Sequence, residues 1–448
     1  MSADLEPLTR ALLEAAHRAG AEAADAMAVA GQSLAIDVRA GRLEQAERAE
    51  ELELGLRVLM GRRQACVAAS DARPETLAAM AERAVAMARE APEDPTVGLA
   101  DPGQLARDPD AAALQLEDPA PEPAPAALEE AARAAEAAAL AHTGISMVES
   151  ASASWGRRSV HLAASNGFSG GYGRSGSSLS CIAITGEGTG MERDWCAESR
   201  IFAADLPDAA DIGRRAAERT LARAGARKPP TGAVPVLYDE RIASSLIGHL
   251  LAAANGTAVA RGASWLRDAM GTPVLPAALS LVEDPRAPRL PGTRPFDAEG
   301  LATARRPIVT DGVLGRWLLD LATARKLGCE STANAVRGPS APPQPAASNV
   351  MLTQGATDRD GLVREMGRGL LVTSLMGASI NATTGDYSRG ASGFWVEGGE
   401  IAYPVNECTI AGNLRDMLRS LVAANDARPH AAVQVPSLLV EGLTIAGA

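Results

Sequence analysis

The stretch spanning residues 51–70, ELELGLRVLMGRRQACVAAS, alternates Leu52, Leu54, Leu56 and Val58 with polar or small residues. Successive side chains of a strand point to opposite faces, so this period of two predicts a half-buried strand. The runs DAMAVA (25–30) and SLAIDVRAG (33–41) read as strands too. A sheet with one apolar face needs a layer to cover it, and two flanking segments have the required helical spacing. In LEPLTRALLEAAHRAG, Leu8, Leu12, Ala15 and Ala16 share one side and Gly20 is the stop. In ARPETLAAMAERAVAMARE, Pro74 suits the first turn and Glu75 suits the positive end of the helix dipole.

Beyond these elements, residues 91–126 are rich in Pro, Asp and Ala and predict a surface excursion. An Ala-rich helix at 128–142 follows. A β-rich block then runs from Ile145 to about Phe202, with Gly/Ser turns at SNGFSGGYGRSGSS and TGEGTG. After a helix at 208–225, the Pro229-Pro230-Thr231-Gly232 segment marks a domain boundary. This divides the chain into an N-terminal α+β domain, 1–228, and a C-terminal β-rich domain, 229–448. In the second half, Asp311-Gly312 and Gly398-Gly399 are hairpin turn signals. Strands and helices come in blocks rather than in strict βαβ alternation. The expected fold class is α+β, with mixed or antiparallel sheets flanked by helices.

At 448 residues the chain is long enough for two or three cores. Its net charge of -12, with Arg scattered among acids, argues against a nucleic-acid surface, which needs clustered cations. The acidic start lacks the basic and apolar regions of a secretory signal, and no window is apolar enough to span a bilayer. Five widely spaced cysteines, Cys66, Cys181, Cys196, Cys329 and Cys408, form no CxxC and fit reduced thiols. A soluble, cytoplasmic protein is the expectation.

Catalytic motifs are scarce. His249 lies on a predicted helix, SSLIGHLLAAANG, after the probable strand AVPVLYD. A helix-borne zinc pair needs a second ligand one turn on and a Glu as base, yet positions 252, 253 and 254 are all Ala. His17, His142, His161 and His430 have no partner at ligand spacing. TGEGTG is followed by a strand-like run, not by the helix that a dinucleotide site requires. The elbow G-x-S-x-G is absent. Glu283, Asp284, Asp297 and Glu299 lie in a Pro/Arg-rich segment, where turn roles and ion pairs outweigh a catalytic carboxylate pair. The segment Thr383–Trp395, TTGDYSRGASGFW, sets small residues around Tyr387 and Arg389. Such residues let another backbone approach, either in a packed internal turn or at an edge that adds a peptide strand.

Several long segments resemble the TldD/PmbA family, most closely its PmbA (TldE) branch. They are VARGASWLRDAMG (259–271), RPFDAEGLATARR (294–306), DGVLGRWLLDLATARKLG (311–328), the run 383–414 and LLVEGLTIAG (438–447). The resemblance covers essentially the whole chain. It implies a two-subunit metallopeptidase, also known by the old family name modulator of DNA gyrase. A TldD-type subunit carries HExxxH and a later cysteine, and a TldE-type subunit of the same fold pairs with it around an enclosed cavity. Related pairs are implicated in trimming leader peptides and degrading small unfolded polypeptides. Aligned through Ala260-Arg261-Gly262, the motif's His, Glu and His fall on Ile247, Gly248 and Ala252. Started at His249 instead, its Glu and second His fall on Leu250 and Ala254. Ala391 falls where the cysteine is expected.

The resemblance therefore implies a non-catalytic TldE-type subunit with no catalytic or metal residue of its own. Zinc would sit in a TldD-type partner, and Tyr387, Arg389, Ser392 and His249 are candidate contacts to an extended peptide or to that partner. The alternative is a stand-alone, homodimeric peptide- or protein-binding chain.

Overall fold

A computed structural model describes residues 4–107 and 111–447. Its N-terminal half is one antiparallel sheet. The elements are α1 (Glu6–Arg18), β1 (Ala23–Arg39), β2 (Arg42–Met60), β3 (Arg63–Ala69), α2 (Pro74–Glu90), α3 (Pro125–Leu140), β4 (Ile145–Ala164), β5 (Ser169–Thr185), β6 (Glu192–Arg200) and α4 (Ala209–Ala222). The strand order is β3-β2-β1-β4-β5-β6. The runs 25–30 and 33–41, read as two strands, are one continuous β1.

Even-numbered residues of β1 fix the layering. Ala24, Ala26 and Ala28 pack with Leu54, Leu56 and Val58 under α1 and α2, while Ile36 and Val38 pack with Ala151 and Ala153 under α3 and α4. All four helices thus cover one face. Alanine suits these positions because it lets helix backbones approach closely. At Gly213 of α4 an added Cβ would collide with the Ala135 carbonyl of α3. The excursion at 91–126 forms two short 3₁₀ turns, Pro102–Gln104 and Ala112–Leu114. It is more than surface, because Ala100, Leu114 and Leu116 are buried.

The C-terminal half begins with β7 (Gly232–Tyr238), α5 (Glu240–Ala253) and α6 (Gly256–Ala260). Then come β8 (Leu281–Glu283), β9 (Arg306–Thr310), β10 (Val313–Leu314), α7 (Leu321–Leu327), β11 (Ala335–Val336), β12 (Gln344–Pro345) and β13 (Val350–Leu352). The chain ends with α8 (Arg359–Met366), β14 (Gly369–Ile380), β15 (Asp386–Glu397), β16 (Glu400–Asn413), α9 (Leu414–Arg419), β17 (Val422–Ala423), β18 (Val433–Gln434) and β19 (Leu438–Ala446). The large sheet runs β16-β15-β14-β7-β19-β17, and β16 also pairs with β19 through Ile410↔Ile445. The strands β7, β14, β15, β16 and β19 therefore close into a ring, which removes the open edges of the sheet. A smaller sheet runs β10-β9-β8-β13-β18.

One face of the ring shares a core with α5, contributing Tyr238, Val372, Tyr387, Trp395 and Ile410 against Leu246, Ile247 and Leu250. The other face packs Leu237, Leu371 and Leu439 with Leu362, Val363 and Met366 of α8. The two halves meet on the helix-free face of the first sheet. There Arg57 of β2 donates to Asp25 of β1, with Nε–Oδ2 at 2.7 Å, and Arg337 of the C-terminal half bonds the other carboxylate oxygen. The Pro339 carbonyl lies against Gly55, where no Cβ would fit.

The candidate functional site

The motif-bearing helix, α5, is set by its own start. The Asp239 side chain accepts from the Arg241 backbone N–H at 3.2 Å and caps the helix directly after β7. His249 emerges half-buried on the side facing β15. Its ring meets Tyr387 edge to face, with centroids 5.9 Å apart and planes at 72°. Tyr387, Arg389 and Ala391 alternate along β15 and so point the same way. Tyr238, at the end of β7, joins the same core.

This cluster is polar at its tips and poorly satisfied. His249 Nε2 and Arg389 Nε are buried with no hydrogen-bond partner among the described residues, while the buried hydroxyls of Tyr238 and Tyr387 have only each other. Burial pushes the Tyr238 phenol well above its usual range, with Tyr387 adding to the shift, and burial raises Tyr387 too. For His249, burial and then the Arg389 charge lower the imidazole below its ordinary value. At neutral pH the site therefore holds neutral His249 beside a guanidinium and two protonated phenols.

The remaining expected site residues scatter. Ile247 is fully buried in the core, whereas Gly248 and Ala252 are exposed on other sides of α5. Ala391 is buried, and Cys408 sits directly opposite it on β16. The Cys408 thiol donates to the Ala391 carbonyl at 3.2 Å, and burial pushes it up to about 11. Ser392 turns away from the cluster and accepts from Arg223, at the end of α4, at 3.1 Å. It belongs to the contact between the two halves rather than to the surroundings of His249.

One of the two readings of Thr383–Trp395 is corrected. As an inner strand of the ring, β15 hydrogen-bonds β14 on one side and β16 on the other, so its paired length offers no free edge for a peptide. Its small residues serve an internal approach, since a Cβ at Gly393 would collide with the Leu371 carbonyl. The acids of the Pro/Arg-rich segment take turn and pairing roles. Asp297 accepts the backbone N–H groups of Glu299, Leu301 and Ala335, and Glu283 accepts from Asn334 and the Ser348 N–H. Asp284 pairs with Arg305 at 3.6 Å.

A catalytic zinc site needs about three protein ligands with an open fourth position. Among the described residues no group of three His, Cys, Asp or Glu side chains is placed to hold a metal. Beside His249 lie the Tyr387 phenol ring and the Arg389 charge, a set that does not fit zinc. Sequence reasoning missed Tyr238, which carries no local signal beyond ending a strand. It also missed the position of Cys408, which only strand register reveals.

Comparison with known proteins gives a consistent result. The family model "PmbA/TldA metallopeptidase domain 1" matches residues 24–88, the central-domain model matches 116–224 and the C-terminal-domain model matches 231–447. The chain is 37% identical to "Metalloprotease PmbA" of Escherichia coli O157:H7, covering 92% of this chain and 90% of that one. It is 36% identical to the PmbA homolog of Haemophilus influenzae, over 97% and 94% of the two chains. A crystal structure from Bacteroides thetaiotaomicron, described as a modulator of DNA gyrase, superposes with a TM-score of 0.92 at 28% identity, covering all of both chains. TldE from Thermococcus kodakarensis shares the fold, with a TM-score of 0.85 at 19% identity over 98% of this chain and all of that one.

Proposed function

This chain belongs to the PmbA/TldD metallopeptidase family, and from that premise we propose that it is the non-catalytic, TldE-type subunit of a two-chain peptidase. A TldD-type partner would supply the zinc, the general base and the cysteine, with zinc-activated water attacking a peptide carbonyl there. The present chain would close the substrate cavity and hold an extended peptide. The observation that carries this reading is the surroundings of His249. A family fold spanning the full chain carries one imidazole on α5, against the Tyr387 ring and near the Arg389 charge. No described set of residues could hold a metal. The curated relatives carry the name metalloprotease, and in this reading the activity behind such a name belongs to the pair.

Reconstitution tests the proposal. Cleavage of an unfolded peptide is measured with this chain alone, with a TldD-type chain from the same source alone, and with both. Activity that appears or rises strongly only with both chains supports the reading. Full activity of this chain alone overturns it.

A further inference from the structure

A cavity lies away from His249, where the C-terminal half docks on the first sheet. Its volume is about 290 Å³. One wall is apolar, formed by Met27, Val29, Leu162 and Phe296. The other is cationic, with Arg158, Arg294 and Arg337 in the lining and Arg174 beside them on β5, opposite Arg158. Val336 and Gly338 are exposed at the rim, and the Arg158 side chain is 53% exposed, so the mouth is open to solvent.

The buried cations here are short of counter-charge, whereas the exposed Arg158 faces Glu51 at 3.8 Å. Arg57 and Arg337 share the single carboxylate of Asp25. Arg174 donates to the carbonyls of Pro291 and Thr293, and Arg294 to those of Ala335 and Ala346; among the described residues neither forms an ion pair. Asp297 lines the cavity and feels the Arg294 charge, but it forms no ion pair with Arg294 and its carboxylate is engaged by three backbone N–H groups. Arg294 Nε, Arg337 Nε and Arg337 Nη2 are buried with no acceptor. Burial lowers the Arg174 guanidinium from its ordinary value, and the nearby charges of Arg294 and Arg158 add to that shift. A buried guanidinium without an anion is costly, and a planar carboxylate is its natural complement.

We propose that this interdomain cavity binds a carboxylate attached to a short apolar group, with the anion on Arg294 and Arg337 and the apolar part against Met27, Val29, Leu162 and Phe296. The C-terminal residue of an apolar-ended peptide has this chemistry, as does a short free acyl acid. A pocket near the ~300 Å³ lower bound for small-molecule sites suits a group of that size. The inference stands on the cavity and its arginines, not on the reading of the His249 site.

Titration calorimetry of the intact chain tests it, with N-acetyl-leucine, its amide N-acetyl-leucinamide, 4-methylpentanoate and a pentapeptide ending in leucine. The expected result is binding of the acids with at least tenfold weaker binding of the amide, and weakening of the acids by added salt. Tight binding of the pentapeptide identifies a peptide terminus as the ligand, whereas binding of 4-methylpentanoate alone identifies a free acid; either supports a carboxylate site. Equal binding of acid and amide, or no binding of any acid at millimolar concentration, overturns the proposal. In the variant Arg294→Met, checked for folding by thermal melting, the acid should lose at least tenfold in affinity. Unchanged affinity in the folded variant also contradicts the proposal.

Discussion

At the junction of the two halves, Asp25 accepts from both Arg57 and Arg337, and the three side chains are each at most 5% exposed. Beside Tyr387, the His249 Nε2 and Arg389 Nε atoms are buried with no partner among the described residues. Both are polar clusters inside an apolar frame, yet the first is anchored on a shared carboxylate, with Arg337 Nε and Nη2 left over, and the second has no such anchor. Paired buried ions fix how two parts of a chain meet, because removing either partner strands a charge in low dielectric. Unpartnered polar atoms contribute nothing comparable to stability, and they persist where a site once had, or still has, something to face. The contrast separates a cluster that holds the two halves together from one that contributes little to holding the fold.

The largest effect should come from Asp25→Ala. It leaves Arg57 and Arg337 without a counter-charge and should cost about 3–5 kcal/mol in chemical denaturation. Burial alone would raise the Asp25 carboxyl, but Arg337 and Arg57 reverse this and hold it below the usual carboxylate range. A depressed folded pKa means that the contribution is present above the unfolded value, near ~3.9, and lost as pH falls through the folded one. The gap between parent and variant should therefore be constant from neutral pH down to about pH 4 and shrink only below it.

A smaller effect, of opposite sign, is expected from Glu299→Gln. Burial, then Asp297 and Asp320, push the Glu299 carboxyl well above its ordinary range. The preference for the protonated form stabilises the fold fully below the unfolded value, and this is lost as pH rises through the folded one. Glutamine keeps an acceptor for the Leu321 N–H without the charge. The variant should melt higher than the parent at pH 8, with the difference closing toward pH 4. A variant that melts lower at pH 8 would show that the negative charge itself is needed.

His249→Ala should do least. The ring is half-buried, and its one aromatic contact, with Tyr387, is of a kind worth about 0.5–1.5 kcal/mol. A loss comparable to that of Asp25→Ala would erase the contrast between the two clusters.

Much of the frame was legible from local pattern. The alternation of Leu52 to Val58 identified β2, and the helical spacing of Leu8 and Leu12 identified α1. The break read at Gly31-Gln32 within β1 was wrong because these less apolar residues sit where no core covers the strand. Non-local pairing was beyond reach. Nothing near Tyr387 says that β15 has neighbours on both sides, and Asp25 and Arg337 stand 312 positions apart. At the candidate site, the sequence reported which side chains α5 lacks. It could not report that the Tyr387 ring and the Arg389 charge would face the histidine that remains, or that Cys408 would lie opposite Ala391.

Among the described residues, α5 and its surroundings bring together no set of side chains that would hold a metal. Elemental analysis of the purified chain, equilibrated with zinc at neutral pH and then desalted, tests this most directly. The account predicts zinc far below one atom per chain, unchanged in His249→Ala. One retained zinc per chain, lost in His249→Ala, would contradict it.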